Sequence, residues 1–186
     1  MGDSLRGWHQ CPGASARCWG KKGKGDQALG RSRGGFGTKI HLRIEGKGKP
    51  VAFVLTPGQW HEVSAFQRLM SQGAIKRPGV GRPRIRPARV CGDKGYGSGK
   101  VRSYLRRRGS CYTIPQKRDE IRRVRPWRNG PFDRELYRSR NLVERTINRL
   151  KQFRRIATRY EKEAENYLAM LQIGSLLLWL WFANTP

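Results

Sequence analysis

The feature that most constrains this fold is a stretch without Gly or Pro, residues 133–160, DRELYRSRNLVERTINRLKQFRRIATRY. Most of its residues are good helix formers, so we expect one long helix here. Asp133 can cap its start, and Glu135 places a negative charge in the first turn. Apolar residues at helical spacings predict one buried face: Leu136, Leu142, Val143, Ile147 and Leu150.

Four polar residues form a second pattern on the same helix: Tyr137, Arg140, Glu144 and Lys151. At about 100° per residue, the last three fall within roughly 40° of one another, and Tyr137 lies about 60° from Arg140. A solvated face with ion pairs, each contributing about 0.2–0.5 kcal/mol, would give this pattern. A metal-ligand carboxylate flanked by groups that hold phosphates would give it too. The spacing alone leaves both interpretations open.

The order Tyr137-x2-Arg140-x3-Glu144-x6-Lys151 resembles the Y-(2)-R-(3)-E-(6)-K signature of bacterial insertion-sequence transposases of the DDE type. The surrounding RNLVERTINRLKQFRRIATRYEK is similar to the IS-five-like group in particular. The resemblance implies that Glu144 is a catalytic metal ligand. It also implies that Tyr137, Arg140 and Lys151 grip scissile or flanking phosphates, a task that suits Arg through bidentate donors and Lys as a point charge.

A second candidate carboxylate is Asp93, which follows a predicted short strand in the sequence GDKGY. The glycines let the chain turn away and leave the carboxylate exposed. In isolation, an Asp before a turn is more often a helix cap or a turn former. GDKGY is similar to the family segment that carries the second catalytic Asp, so the resemblance implies that Asp93 is a metal ligand.

Residues 1–37 are rich in Gly, Lys and Arg, which predicts a mobile basic loop. Within and just beyond it, ALGRSRGGFGTKIHL resembles the segment that follows the first catalytic Asp in these transposases. The resemblance implies a DNA-contacting arm that includes Arg31, Arg33 and Lys39.

The first catalytic Asp of the family lies at the end of a central strand, upstream of that arm. Asp3 is our candidate, and Asp26 is the fallback. Only Met1 and Gly2 precede Asp3, so we expect most of the first strand to be missing.

The chain is strongly basic, with 40 Lys and Arg against 13 Asp and Glu and a formal charge of +27. Such a charge indicates a polyanionic partner, with nucleic acid as the default. A ribosomal-type basic protein would carry a similar charge. The resemblance implies double-stranded DNA as the partner, at element ends and target, and a homodimer in the synaptic complex.

Cysteine usage indicates a reducing cytoplasm, and the resemblance implies that of a bacterium, with nucleoid association. The four cysteines are expected as free thiols, because Cys11 and Cys18 with His9 match zinc spacing poorly. No secretory signal opens the chain. The apolar run at 173–183 is shorter than the roughly 20 residues that span a bilayer, so we expect no membrane contact.

Alternation predicts a strand at 38–45 with one apolar and one solvent-facing side. The apolar side would hold Ile40, Leu42 and Ile44, and the solvent side Lys39, His41 and Arg43. Further strands are expected at 50–55, 88–91 and 111–114, helices at 64–72, 100–108 and 163–182, and loops at 73–87 and 116–130. His61 and Glu62 are candidates for a ligand or DNA contact or for a helix start.

This order of elements indicates an α/β fold. The resemblance implies an RNase H-like core, a mixed sheet with flanking helices, whose first strand is truncated. We divide the chain into the basic loop 1–37, the catalytic core 38–162, and a C-terminal apolar helix at 163–186 that packs on the core or on a partner.

The resemblance implies that Asp3, Asp93 and Glu144 together hold Mg²⁺ or Mn²⁺. Two such ions about 4 Å apart suit in-line attack at phosphorus, first in nicking at element ends and then in transfer of the freed 3′-hydroxyl to target DNA. One alternative is a truncated, inactive DNA-binding remnant, or half of a frameshifted transposase that needs its upstream-frame product. A basic RNA-binding protein would explain the charge but not GDKGY.

Overall fold

The fold is built on a six-stranded sheet. A computed structural model describes residues 3–12, 26–76, 79–116 and 132–183, with the backbone alone for 3–12, 182 and 183. The strands are β1 (Asp3–Pro12), β2 (Gly30–Ser32), β3 (Gly35–Ile44), β4 (Pro50–Pro57), β5 (Arg89–Cys91) and β6 (Cys111–Thr113). The helices are α1 (Glu62–Ser71), α2 (Gly99–Arg107), α3 (Arg134–Arg138), α4 (Asn141–Lys151), α5 (Arg154–Ala157) and α6 (Ala164–Ala183), with a 3-10 turn at Lys94–Tyr96.

The sheet has the order β4-β3-β1-β5-β6, and β2 pairs with the first residues of β3. The pairs β1–β3 and β3–β4 are antiparallel, whereas β5 lies parallel to both β1 and β6. Antiparallel neighbours can be joined by short turns, but parallel strands need crossovers, which the helices provide. The predicted mixed α/β fold is therefore confirmed.

Helices cover both faces of the sheet and create two apolar clusters. On one face, α1 and α2 pack with Ala52, Val54 and Val90 of the sheet. On the other face, α4, α5 and α6 pack with the alternate residues Phe53 and Leu55. The side chains of β4 thus alternate between two buried layers.

The prediction of a loop over 1–37 with most of the first strand missing was wrong. β1 runs for ten residues at the centre of the sheet, from Ser4 opposite Ile44 to Pro12 opposite Gly37 on β3. Its Gly, Pro and Cys residues conceal the strand in the sequence, and pairing with neighbours on both sides overrides that weak propensity. As a result, Asp3 opens a strand here and does not end one.

The predicted solvent-facing side of β3 was also wrong. Lys39, His41 and Arg43 are only 8%, 0% and 1% exposed, because α1 covers that face of the strand. The alternation of apolar and polar residues shows which face of a strand is polar, but it does not show that this face is exposed. A polar side chain can be buried when it makes hydrogen bonds. Arg43, for example, donates to the carbonyl oxygens of Gln72 and Ile85 at 2.9 and 3.2 Å.

The single helix expected over 133–160 is divided into α3, α4 and α5. At the first break, the hydroxyl of Ser139 donates to the carbonyl of Leu136 at 2.6 Å, and the next backbone bonds span three residues instead of four. At the second break, Phe153 has ψ 109°, which is outside the helical region. Freedom from Gly and Pro therefore does not make a helix continuous.

Candidate active site

The chain turns sharply where β5 ends, and this turn carries Asp93. The amide of Gly92 donates to the carbonyl of Thr113 at 3.1 Å, which ties the turn to β6. The Oδ1 atom of Asp93 then accepts from the amide of Lys94 at 2.7 Å and caps the 3-10 turn. The Asp93 side chain remains 34% exposed, so the turn presents a carboxylate to solvent at the edge of the sheet.

Arg140 joins Asp93 to Glu144. One guanidinium nitrogen lies 3.3 Å from Asp93 Oδ1 and donates to the Tyr137 hydroxyl at 3.1 Å. The other nitrogen lies 2.9 Å from Glu144 Oε1. Burial lowers the pKa of Arg140, but Tyr137, Glu144 and Asp93 raise it, and the net pKa shift is upward. A permanent cation therefore sits between two carboxylates that the sequence identified as ligands.

The chemistry of this pair fits a hard divalent cation. Mg²⁺ takes carboxylate oxygen ligands, and the contacts of Arg140 show that Asp93 and Glu144 converge on a positive charge. Among the side chains that the structure describes, no three from His, Cys, Asp and Glu cluster closely enough to hold a metal ion. The strand next to β5 is β1, which begins at the remaining candidate, Asp3.

Asp3 lies on β1 beside β5, where its Cα pairs with Val90. Val90 is three residues before Asp93, so the backbone of Asp3 lies about 10 Å from the level of Asp93 along the strand direction, at roughly 3.3 Å per residue. The structure thus brings Asp93 and Glu144 together and places the backbone of Asp3 on the neighbouring strand at an earlier level. Asp26, the fallback, accepts a hydrogen bond from the amide of Ala28 and caps a local turn.

The remaining phosphate-binding candidates lie at different distances from this centre. Lys151 is the last residue of α4, about 10 Å along the helix from Glu144 at 1.5 Å per residue. Arg31 and Arg33 are exposed on the β2–β3 hairpin. The pairing of Pro12 with Gly37 puts that hairpin at the end of the sheet toward which β5 runs, the same end that carries Asp93.

Lys39 is directed into the protein. Its ammonium group donates to the carbonyl of Trp60 at 2.7 Å and to Glu62 Oε1 at 3.3 Å. Glu62 also packs against the GDKGY turn, since a Cβ atom added to Gly95 would lie 3.3 Å from Glu62 Oε2. His61 is exposed at the start of α1 and makes no side-chain capping bond. The pair Lys39 and Glu62 therefore packs beneath the turn that carries Asp93.

Sequence reasoning missed a series of buried side-chain hydrogen bonds beneath the turn that carries Asp93. His41 contacts the Tyr96 hydroxyl through Nδ1 at 2.9 Å and the Thr56 hydroxyl through Nε2 at 2.8 Å. Burial, with a smaller effect from Lys39, lowers the pKa of His41 to about 4. Burial, then Glu62 and Asp93, raises the pKa of Tyr96. Both groups are neutral, and together they fix the 3-10 turn on β3 and β4. Their signal in the sequence was the Tyr of GDKGY and the His of β3.

We expect the stability of this protein to fall as the pH is lowered from about 6.5 to about 4. In this range an unfolded His41 binds a proton that the folded His41 excludes, so the free energy of unfolding decreases, by about 3 kcal/mol in full. Urea unfolding of the unaltered chain and of His41→Gln, at several pH values, measures this effect. The difference between the two chains should be largest near pH 7. A difference that is independent of pH would contradict the assignment.

Exposed cations also cover the region that follows β5 and the loop before it. They are Arg82, Arg84 and Arg86 in the loop, and Lys100, Arg106, Arg107 and Arg108 on and after α2. Such clustering is the electrostatic footprint of a nucleic-acid-binding surface. No helix in the described part of the chain combines the length and hydrophobicity needed to cross a bilayer.

Comparison with known proteins places this chain in a family. The family model described as "Transposase DDE domain" matches residues 9–180, which include Asp93 and Glu144 and exclude Asp3. The protein named "Putative transposase for insertion sequence element IS402" from Burkholderia cepacia is 31% identical over 163 residues, 88% of this chain and 71% of that protein. The one named "Putative transposase for insertion sequence element IS6501" from Brucella ovis is 27% identical over 145 residues, 77% of this chain and 98% of that protein. The chain therefore belongs to the transposase DDE domain family.

Proposed function

We propose that this chain is the catalytic domain of an insertion-sequence transposase. It nicks DNA at the ends of its element and transfers the freed 3′-hydroxyl to target DNA. The observation that carries the proposal is the convergence of Asp93 and Glu144 on one cation, Arg140, at 3.3 and 2.9 Å. Asp93 comes from the end of a strand and Glu144 from a helix, so the fold assembles the pair from distant parts of the chain.

The sheet supports an RNase H-like core for this domain. A central strand (β1) has an antiparallel pair (β3 and β4) on one side and two parallel strands (β5 and β6) on the other. The sequence resemblance implies a mixed sheet with flanking helices, and a mixed sheet with helices on both faces supports the proposal. The two carboxylates lie where the parallel strand β5 ends.

Each polar residue of the site has a role in the proposal. Asp93 and Glu144, with Asp3, would hold Mg²⁺ or Mn²⁺. When bound, such ions supply Lewis-acid stabilisation and an activated water or 3′-hydroxyl. Arg140 would exchange its carboxylate partners for a DNA phosphate, because its fork of donors fits either group.

Other residues would hold the DNA around that centre. The Tyr137 hydroxyl already orients Arg140, and Lys151 would contact a flanking phosphate two turns along α4. Arg31 and Arg33 would contact DNA from the β2–β3 hairpin. We leave Lys39 out of this set, because its ammonium group is bonded to Glu62 and Trp60 inside the protein.

We further propose that the partners are double-stranded DNA and a second copy of the chain, since two element ends must be processed together. Because many phosphates would be contacted, added salt should weaken DNA binding steeply.

A second candidate function is DNA binding without chemistry, as a remnant or as half of a frameshifted enzyme. The position of Asp3 favours it, because Asp3 lies about three residues earlier along the sheet than Asp93, or roughly 10 Å. In that case the upstream-frame product would be needed to complete the site.

Cleavage of a labelled duplex that carries the element's own ends, with Mn²⁺, separates the two candidates. Nicking by this chain alone would support the transposase domain as it stands. If nicking occurs only after the upstream-frame product is joined to this chain, the chain alone is half of an enzyme. Binding without nicking in both cases would refute the proposed chemistry and leave the DNA-binding remnant.

Arg140 gives a test that does not depend on cleavage. In Arg140→Gln, Asp93 and Glu144 lose the cation between them and a metal ion has no guanidinium to displace. We therefore expect a larger rise in melting temperature on addition of Mn²⁺ than in the unaltered chain, measured by scanning fluorimetry. Nicking should fall by about 100-fold, the scale for loss of one electrostatic group in a transition state.

The matched control for Arg140 is Arg138→Gln, which removes an exposed cation from α3. It should leave both the Mn²⁺ response and nicking unchanged. Equal Mn²⁺ responses in the two variants would contradict a role for Arg140 between the ligands.

A further inference from the structure

Helix α6 is divided into a buried face and an exposed apolar face. The residues buried against the sheet recur at spacings of three and four: Tyr167, Leu171, Ser175 and Leu178. From 166 to 183 the helix contains no Asp, Glu, Lys, Arg or His. A helix that covered a core on one side alone would carry charged residues on the other.

The exposed face has its own helical stripe. Ile173, Leu176, Leu177 and Leu180 are 54%, 60%, 47% and 54% exposed and follow one another at the seam spacing of packed helices. Single exposed apolar residues are ordinary, whereas a continuous stripe marks an interaction surface. With the nearby indole rings of Trp179 and Trp181, two such stripes would bury roughly 1,000 Å² in total, the size at which a specific interface begins.

The two ends of this stripe carry opposite charges. At the start of α6, Glu163 and Glu165 are exposed. Near its end, the ammonium group of Lys49 lies 4.7 Å from the Trp179 ring, and the guanidinium of Arg149 lies 4.5 Å from the Trp181 ring. An apolar stripe with an acidic start and a basic end is complementary to itself when it is turned end for end.

We propose that α6 binds α6 of a second copy in antiparallel orientation, about a two-fold axis near Ile173. The antiparallel orientation brings the acidic start of one helix level with the basic end of the other, where Lys49 and Arg149 lie against Trp179 and Trp181. Such an isologous contact closes as a dimer and does not propagate. It also joins two highly basic chains through the face of α6 that carries no charge. The inference deepens the second-copy partner of the proposed function.

Sedimentation equilibrium of the whole chain, without DNA or metal, tests this interface. The unaltered chain should dimerise. Leu176→Glu combined with Leu177→Glu should weaken dimerisation by about 100-fold or more, because four carboxylates would enter the apolar contact without partners. The matched control is Val80→Glu, a fully exposed apolar residue in the loop before β5, which should leave the dimer intact. Circular dichroism establishes that each variant is folded.

Charge exchange tests the orientation. Glu165→Arg should weaken the dimer by about 5-fold, since the two-fold axis places a positive charge level with the partner's basic end twice, and adding Arg149→Glu should restore it. A monomer at every concentration, a dimer that survives the double Leu variant, or binding of neutral phospholipid vesicles in place of dimerisation would each overturn the proposal. Because dimerisation is measured without DNA, a chain that dimerises but does not nick, either alone or joined to the upstream-frame product, would refute the proposed chemistry and leave this interface standing.

Discussion

Asp93→Asn and Glu144→Gln should each reduce metal-dependent nicking by at least about 100-fold, while DNA binding is retained. Both substitutions keep the size of the side chain and remove one negative charge from the pair that converges on Arg140. The loss of one preorganised electrostatic group costs on this order in rate, and a metal ligand also fixes the reacting atoms. Asn remains a good cap, so the amide of Lys94 keeps its acceptor in Asp93→Asn.

Asp133→Asn provides the matched control for these two variants. Its carboxylate is also on the signature segment, where it caps α3 by accepting from the amide of Leu136 at 2.9 Å and lies 3.6 Å from Arg89. Among the residues that the structure describes, Asp133 forms no hydrogen bond or ion pair with Arg140 or Asp93. Labelled-duplex cleavage and gel-shift binding should show Asp133→Asn close to the unaltered chain. Nicking that survives in both Asp93→Asn and Glu144→Gln would show that the metal is held elsewhere.

The core of this site could be predicted because its signals are local. Tyr137, Arg140 and Glu144 are three and four residues apart, and they remain neighbours even though the helix is interrupted at Ser139. Asp93 became a candidate through the resemblance of GDKGY to the family segment, because an Asp between a strand and a glycine turn is by itself more often a cap. That Arg140 also contacts Asp93, 47 positions earlier in the chain, depends on the packing of α4 beside the sheet, and no local spacing reports it.

The errors concern burial and pairing, which are properties of the assembled sheet. Lys39, His41 and Arg43 look solvent-facing by their polarity, yet they lie beneath α1 and make hydrogen bonds there. The strand Asp3–Pro12 contains residues of low strand propensity and is held by β3 and β5 on either side. Propensity is a weak guide where both neighbours of a strand come from distant parts of the sequence.

Arg159→Met should lower the free energy of unfolding by about 3 kcal/mol or more, since several buried acceptors would lose their donor at about 1–3 kcal/mol each. Arg159 is fully buried, and its guanidinium donates to the carbonyl oxygens of Gln27, Glu161 and Lys162 and to the Thr38 hydroxyl. Burial lowers the pKa of Arg159, although Tyr167 and Glu161 oppose that shift. Urea unfolding measures the loss by linear extrapolation.

Arg155→Met is the control for Arg159, because it removes another arginine of the same segment whose side chain is 68% exposed and 3.6 Å from Glu161. Its cost should be clearly smaller than that of Arg159→Met, because Arg155 itself is exposed and screened by water, although its partner Glu161 is only 12% exposed. Equal costs in the two variants would contradict the buried role of Arg159. The contrast also bears on DNA binding, because Arg159 fastens Gln27 and Thr38 at the two ends of the segment that carries Arg31 and Arg33. Under conditions in which both variants are folded, Arg159→Met should therefore bind DNA more weakly than Arg155→Met, even though each variant loses one positive charge.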